Sequence, residues 1–110
     1  MPNTPKGFLF AVADAGFRKK RRNDTALVLS LHPASAAGVF TLNRFCAAPV
    51  VVGKEILAQA RAARGVLVNS GQANACTGDL GLKNCKSVLA MMAGALDLVP
   101  QDFLPASTGV

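Results

Sequence analysis

The sequence predicts a small α/β unit. Short runs of apolar and β-branched residues, which are typical of strands, alternate along the chain with two segments of helical periodicity. The chain has 110 residues, of which 51% are hydrophobic and only 16% are charged. This composition excludes a disordered chain, which combines few apolar residues with a high charge. So much apolar surface on so short a chain also indicates a part of something larger.

The first half of the chain contains three strand candidates. Gly7 to Ala13 is apolar and follows a loose lead-in. Thr25 to Leu31 is short, apolar and β-branched at intervals, and we expect the His-Pro pair that follows to end it. A third strand is expected at Ala37 to Thr41, where Gly38 indicates a bulge or a close approach.

Two helices and two further strands are expected in the second half. After extended residues at Pro49 to Val52, apolar residues recur at helical steps from Gly53 to Gly65, which supplies a stop. A short buried strand follows at Val66 to Val68. Gly78 to Leu98 has the clearest apolar stripe of the chain, and a last strand is expected at Phe103 to Ser107.

The net charge of +6 comes mostly from one segment. Five of the twelve Lys and Arg residues lie in Arg18 to Arg22, and 6 − 5 leaves +1 without them. Such a run can contact phosphates. The chain, however, has no Trp or Tyr and only six Phe, so platforms for base stacking are scarce. A solvated loop is favoured, and an anion- or nucleic-acid-binding module that uses Arg18 to Arg22 is the alternative.

Neither a membrane span nor a metal site is expected. The longest apolar stretches, Ala47 to Val52 and Val88 to Leu96, are far shorter than a bilayer requires. The three cysteines and the single histidine lack the spacing of a zinc site. With no signal peptide in the N-terminal residues, we expect a cytoplasmic protein with reduced thiols.

Two short polar segments have residues suited to binding an anion or an oxyanion. Asn69 to Gly78 lies between a strand and a helix, where backbone amides can point at an anion, although a structural turn is the simpler interpretation. Residues 107–109 (Ser-Thr-Gly) end a strand and can offer a hydroxyl and an amide to an oxyanion, but alone they also suggest a plain turn. His32 and Cys76 have no recognisable partner for acid–base or nucleophilic chemistry.

Five sequence blocks then follow one another along nearly the whole chain. They are Gly16-Phe17 with the basic stretch up to Asp24–Val28, Ala36–Asn43, Ala47–Val50, Leu67–Gly78 and Ser107–Val110. Their identity and order closely resemble the N-terminal part of the ornithine acetyltransferases. The block Asn-Ser-Gly-Gln-Ala-Asn-Ala-Cys-Thr-Gly is similar to that family's most distinctive signature.

The resemblance implies a transferase of arginine biosynthesis. The implied fold is a layered α/β sandwich of the self-cleaving, N-terminal-nucleophile-like type. In that family the precursor cuts itself before a threonine, which then carries an acetyl group from N-acetylornithine to glutamate. Carried over residue by residue, the oxyanion donors are Thr108 and Gly109. The resemblance implies no cofactor and no metal, although some members also use acetyl-CoA as a co-substrate.

The resemblance also implies which part of the enzyme the chain forms and which partners it has. Residues 1–110 are expected to be a single unit, the N-terminal portion of the α chain, without the nucleophile and inactive alone. Its expected partners are the rest of the α chain and the β chain, in a homo-oligomer of αβ units. No membrane and no nucleic acid are expected as partners. We also expect poor solubility in isolation, because sheet edges and a helix face would lose their cover.

Overall fold

The computed structural model describes residues 3–16, 21–59, 61–71 and 78–109. Within these ranges strands and helices alternate as the sequence predicts, which confirms the α/β class. The elements are β1 (Phe8–Ala13), β2 (Thr25–Ala34), α1 (Ala48–Ala58), β3 (Ala63–Ser70), α2 (Gly78–Ala95), a 3-10 helix (Pro100–Asp102) and β4 (Phe103–Thr108).

The strands form one mixed sheet in the order β1-β2-β3-β4. The first three strands are antiparallel, whereas β4 runs parallel to β3. A parallel neighbour needs a crossover connection, and α2 provides it. The carboxyl ends of β3 and β4 therefore lie at the same end of the sheet.

The core lies between the sheet and both helices. Phe103 of β4 and Ala93 of α2 are completely buried, and Leu89 is 1% exposed. Val52 and Ile56 of α1 complete the buried cluster. Leucines from β2 and β3 pack against it from the sheet. Both helices thus cover the same face of the sheet.

The other face of the sheet, called the outer face below, is apolar and largely uncovered. Directly paired residues of neighbouring strands share a face, and Phe10, Val28 and Val66 are paired in this way across three strands. Phe10 is 56% exposed. The apolar residues of β1 to β3 on this face are Phe8, Phe10, Val12, Ala26, Val28, Val66 and Val68. Such a surface is typical of a sheet that packs against a further layer.

Helix α1 begins and ends earlier than the sequence predicts. The expectation of extended residues at Pro49 to Val52 is wrong, because α1 already begins at Ala48. A proline is tolerated in the first turn of a helix, where its missing N–H has no acceptor to reach. Gly65 is also not a helix stop, since it lies inside β3, which is longer than expected.

The strand expected at Ala37 to Thr41 is wrong. These residues are irregular and join no strand within the described part of the chain. They lie against α1 instead: a Cβ on Gly38 would be 2.8 Å from the Cδ1 atom of Leu57, and one on Gly53 would be 3.3 Å from the Phe40 ring. The close approach expected at Gly38 is confirmed, but it is made to a helix.

Strand β2 continues through the His-Pro pair instead of ending there. It reaches Ala34 after a shift of register. Pro33 lies in that irregular stretch, where a missing ladder hydrogen bond costs little. The Arg64 guanidinium supplies donors there, with its Nε and Nη2 atoms each 3.0 Å from the carbonyl oxygens of Ser30 and Leu31.

Helix α2 confirms the expected apolar stripe but ends at Ala95, three residues before the predicted end. Asp97 has a φ of 55°. The Leu98 N–H donates to the Ala93 carbonyl at 2.8 Å, and the Asp97 N–H donates to that of Gly94 at 3.3 Å. This pair of bonds is the Schellman motif, which satisfies the last carbonyls of a helix.

Candidate oxyanion site at the ends of β3 and β4

The two polar segments singled out in the sequence meet at one edge of the sheet. Asn69 pairs with Ser107, and Ser70 pairs with Thr108, in the parallel ladder of β3 and β4. The carboxyl ends of parallel strands are the usual place for ligands in α/β sheets. The sequence treats these segments as separate, and the structure brings their described parts together.

A side-chain hydrogen bond joins the two strand ends. The Ser107 hydroxyl donates to the Oδ1 atom of Asn69 at 2.5 Å, in a partly buried position. The two residues are 38 positions apart in the sequence. This partnership was not predicted, because it depends on the parallel register of β3 and β4.

Thr108 and Gly109, the predicted oxyanion donors, are accessible. Thr108 is the last residue of β4, and Gly109 follows directly. Both are exposed. A hydroxyl and a backbone amide at an exposed strand end are the kind of donors that stabilise a developing oxyanion.

A cavity of about 540 Å³ lies next to these strand ends, between the sheet and α2. Its size is in the range of small-molecule sites. Its polar lining residues are Thr25, Asn69, Asn84, Ser87 and Ser107. Cys85 also lines it, and burial raises the pKa of this thiol, while the positive charge of Lys86 opposes the shift. Cys85 is therefore a poor nucleophile at neutral pH.

Asp24 holds the connection between β1 and β2 against the same end of the sheet. It is 3% exposed, and its Oδ1 atom accepts hydrogen bonds from the Ala15 N–H at 2.7 Å and the Thr25 hydroxyl at 3.2 Å. Its backbone carbonyl accepts from the Ser70 N–H at 2.7 Å. Asp24 thus holds Thr25, which pairs with Asn69, and Ser70, which follows it. These hydrogen bonds explain why a carboxylate is buried at this position.

Of the other residues considered in the sequence, those that the structure describes are not part of this arrangement. In the basic run, residues 18–20 lie outside the described residues, and Arg21 is paired with Asp14 at 3.4 Å while its side chain is 96% exposed. Cys76 and the rest of residues 72–77 also lie outside the described residues. His32 is exposed on β2.

The described residues offer neither a metal site nor a membrane span. Within residues 3–16, 21–59, 61–71 and 78–109, no group of three or more His, Cys, Asp or Glu side chains is arranged to hold a metal ion. None of the helices in these ranges has the length and apolar character needed to cross a bilayer. Cys46 and Cys85 have free thiols.

The mixed sheet, the two helices on one face and the paired strand ends define an α/β unit of the ornithine acetyltransferase type. An ornithine acetyltransferase from Mycobacterium tuberculosis, solved in complex with ornithine, superimposes with a TM-score of 0.90 at 38% identity, over 96% of this chain and 57% of that one. An arginine biosynthesis bifunctional protein from Bacillus halodurans superimposes with a TM-score of 0.87 at 37% identity, over 96% and 55% of the two chains.

The chain belongs to the ArgJ family, whose profile matches residues 9–110. It is 56% identical over its whole length to the arginine biosynthesis bifunctional protein ArgJ of Nitratidesulfovibrio vulgaris, and covers 28% of that protein. It is 43% identical to the protein of the same name from Dehalococcoides mccartyi, over 97% of this chain and 27% of that protein. The chain therefore spans about a quarter of the length of these relatives, and it matches the N-terminal part of the first.

Proposed function

We propose that the protein containing this chain transfers an acetyl group from N-acetylornithine to glutamate through a threonine acyl-enzyme. The chain contributes the N-terminal portion of the α chain and the oxyanion donors Thr108 and Gly109, while the nucleophile lies outside it. The observation that carries the proposal is the exposed Thr-Gly pair at the end of β4, next to the parallel end of β3. The ornithine complex of the Mycobacterium tuberculosis relative supports the substrate class.

The proposed chemistry needs two donors placed at a developing negative charge. The threonine hydroxyl attacks the acetyl carbonyl of N-acetylornithine, with the threonine amine as base. The tetrahedral oxyanion forms beside the Thr108 hydroxyl and the Gly109 amide, and it collapses as ornithine leaves with the proton. The amine of glutamate then attacks the acyl-threonine ester, which releases N-acetylglutamate. These steps require no cofactor, and acetyl-CoA would act only as an additional acetyl donor.

The exposed apolar side chains of the outer face support the proposal that further segments of the protein pack on it. Phe10 and Val12 are 56% and 64% exposed on it, which is unfavourable for a surface in water. We place the remainder of the α chain and the β chain on this face, as the second half of a layered sandwich within a homo-oligomer of αβ units. The free thiols of Cys46 and Cys85 accord with a reducing compartment such as the cytoplasm.

Intact mass and an acetyl-transfer assay test this proposal on protein expressed from the complete open reading frame. We expect two chains, split immediately before a threonine, and transfer from N-acetylornithine to glutamate. The 110-residue chain alone should show no transfer. A single uncut species without transfer would contradict the proposal, and so would activity of the isolated chain.

The role of the oxyanion donors is tested by Thr108→Val, which keeps the shape of the side chain and removes its hydroxyl. We expect kcat to fall by about 10²- to 10³-fold, the usual cost of losing one oxyanion donor. Thr4→Val is the matched control, because Thr4 is also exposed but lies in the N-terminal lead-in. Equal activity of the two variants would remove Thr108 from the site.

The alternative, an anion- or nucleic-acid-binding module, is tested on the same preparation. Replacing Arg18 to Arg22 by neutral residues should abolish any salt-dependent binding to nucleic acid if the run is the binding site. Binding that responds in this way, together with absence of acetyl transfer, would favour the alternative.

A further inference from the structure

We propose that Asn69 and Ser107 form a positioning pair that sets the place of the oxyanion donors without touching the reacting atoms. This inference rests on the proposed function. Its starting point is the hydrogen bond from the Ser107 hydroxyl to Asn69 Oδ1, which is 2.5 Å long and lies one residue before Thr108.

Within the described part of the sheet, the strand that carries the donors is paired with another strand on one side only. β4 is at the edge of the sheet and pairs with β3 alone among the described strands. Its ladder with β3 reaches Thr108 and Ser70 and does not continue beyond them. A side-chain hydrogen bond between the paired residues Asn69 and Ser107 therefore adds a further restraint on the end of β4, just before the donors.

The directions of the Ser107 and Thr108 side chains indicate that Ser107 positions the site and does not contact the reacting group. Successive residues of a strand point to opposite faces. Ser107 lines the cavity between the sheet and α2, together with Asn69. Thr108 follows it at the end of β4, so the alternation directs its side chain to the outer face. A group bound by the Thr108 hydroxyl therefore lies on the other side of the strand from the Ser107–Asn69 bond. The bond acts on the site through the backbone between them.

The expected effect follows from the geometry of oxyanion stabilisation. Donors must lie about 2.7–3.1 Å from the oxyanion, and a misplacement of about 1 Å can cost roughly 100-fold in rate. Without the Ser107–Asn69 bond, the donors are held less firmly in position, although both are still present. We expect kcat to fall by about 10- to 100-fold, with KM for N-acetylornithine little changed, because the interaction lost acts in the transition state.

The experiment compares Ser107→Ala with Ser107→Thr and Ser35→Ala in protein expressed from the complete open reading frame. Ser107→Thr keeps the hydroxyl and should retain most of the kcat. Ser35→Ala makes the same chemical change in an exposed residue of the irregular segment after β2, and it should leave kcat unchanged. The rate is normalised to the processed fraction measured by intact mass, and Tm is recorded for every variant.

Asn69→Leu tests the same bond from its acceptor side, and it replaces Ser107→Ala if that variant does not fold. The two residues act as one unit, so the double variant should lose no more kcat than the stronger single variant. Additive losses would show that Asn69 and Ser107 act independently, which overturns the pairing.

The remaining outcomes are distinguishable. If the unmodified protein transfers no acetyl group, the proposed function fails, and the positioning pair fails with it. If the unmodified protein is active and Ser107→Ala behaves like Ser35→Ala, only the positioning pair is refuted. A raised KM with unchanged kcat would also refute it, because that result assigns Ser107 to direct substrate binding.

Discussion

Gly65→Ala should destabilise the sheet at its centre. Gly65 lies in β3, paired with Leu29 of β2 on one side and with Phe103 of β4 on the other. A Cβ at this position would collide with the carbonyl oxygen of Val28 and lie 3.0 Å from the Cε1 atom of Phe103. Neither neighbour can rotate away, because one is backbone and the other is a fully buried ring.

The magnitude follows from the need to move the strand. An ordinary contact of a Cβ atom is 3.4–4 Å, so β2 must move away from β3 locally or part of their ladder must open. Overpacking of this kind costs about 1–3 kcal/mol, and we expect the upper end because backbone is displaced. Gly94→Ala is the matched control: Gly94 lies in α2 with nothing within 4 Å of a Cβ. There alanine should stabilise the helix by about 0.5–1 kcal/mol.

The assay is thermal unfolding of protein expressed from the complete open reading frame. We expect Gly65→Ala to lower the apparent Tm by several degrees and Gly94→Ala to leave it unchanged or raise it. The same Gly→Ala change should thus lower the stability at position 65 and keep or raise it at position 94. An unchanged Tm for Gly65→Ala would show that β2 and β3 are not packed as closely as the structure has them, and would refute the reasoning.

Two further predictions concern α2. Asp97→Gly should stabilise the protein by about 0.5–1 kcal/mol, because Asp97 has a φ of 55°, which favours glycine; a lower apparent Tm would contradict the assignment of the helix end. Burial raises the pKa of the Cys85 thiol, so the folded state holds this proton more tightly than the unfolded state. The Cys85 thiol therefore contributes fully to the stability of the fold below the ordinary thiol pKa, and this contribution is lost as pH rises through the raised pKa. Iodoacetamide should accordingly modify Cys85 more slowly than an unstructured thiol at pH 8, as measured by peptide mass spectrometry, and equal rates would disprove the shift.

Strands β1 and β4 and helix α2 could be predicted from the sequence to within a few residues. The start of α1 and the full lengths of β2 and β3 could not. The apolar stripe of α2 is repeated over several turns, so its helix was predicted with only its last residues in error. In α1, three consecutive valines favour an extended chain by local propensity, but Val52 is 2% exposed in the core of the helix layer. Packing between α1, α2 and β4 overrides the propensity. The same holds for Gly65, whose role depends on neighbours from two other strands.

The residues of the candidate site could be singled out from the sequence, but their arrangement could not. The resemblance singled out Thr108 and Gly109, and local chemistry alone suggested only a turn. That Asn69 lies beside Ser107 follows from the parallel register of β3 and β4. A one-residue slip of that register would turn the two side chains to opposite faces. No property of either residue by itself sets the register.

The outer face has a consequence for how the protein is made. Synthesis begins at the N-terminus, and the chain matches the N-terminal part of the relative from Nitratidesulfovibrio vulgaris. In the proposed arrangement, a ribosome would deliver Phe8, Phe10 and Val12 before the remainder of the α chain that would cover them. During this interval β1 offers both an apolar surface and an open strand edge. Nascent chains in this state are prone to pair with one another. The interval between emergence of β1 and arrival of its cover should be the step at which chaperones and slower translation most improve the yield of native protein.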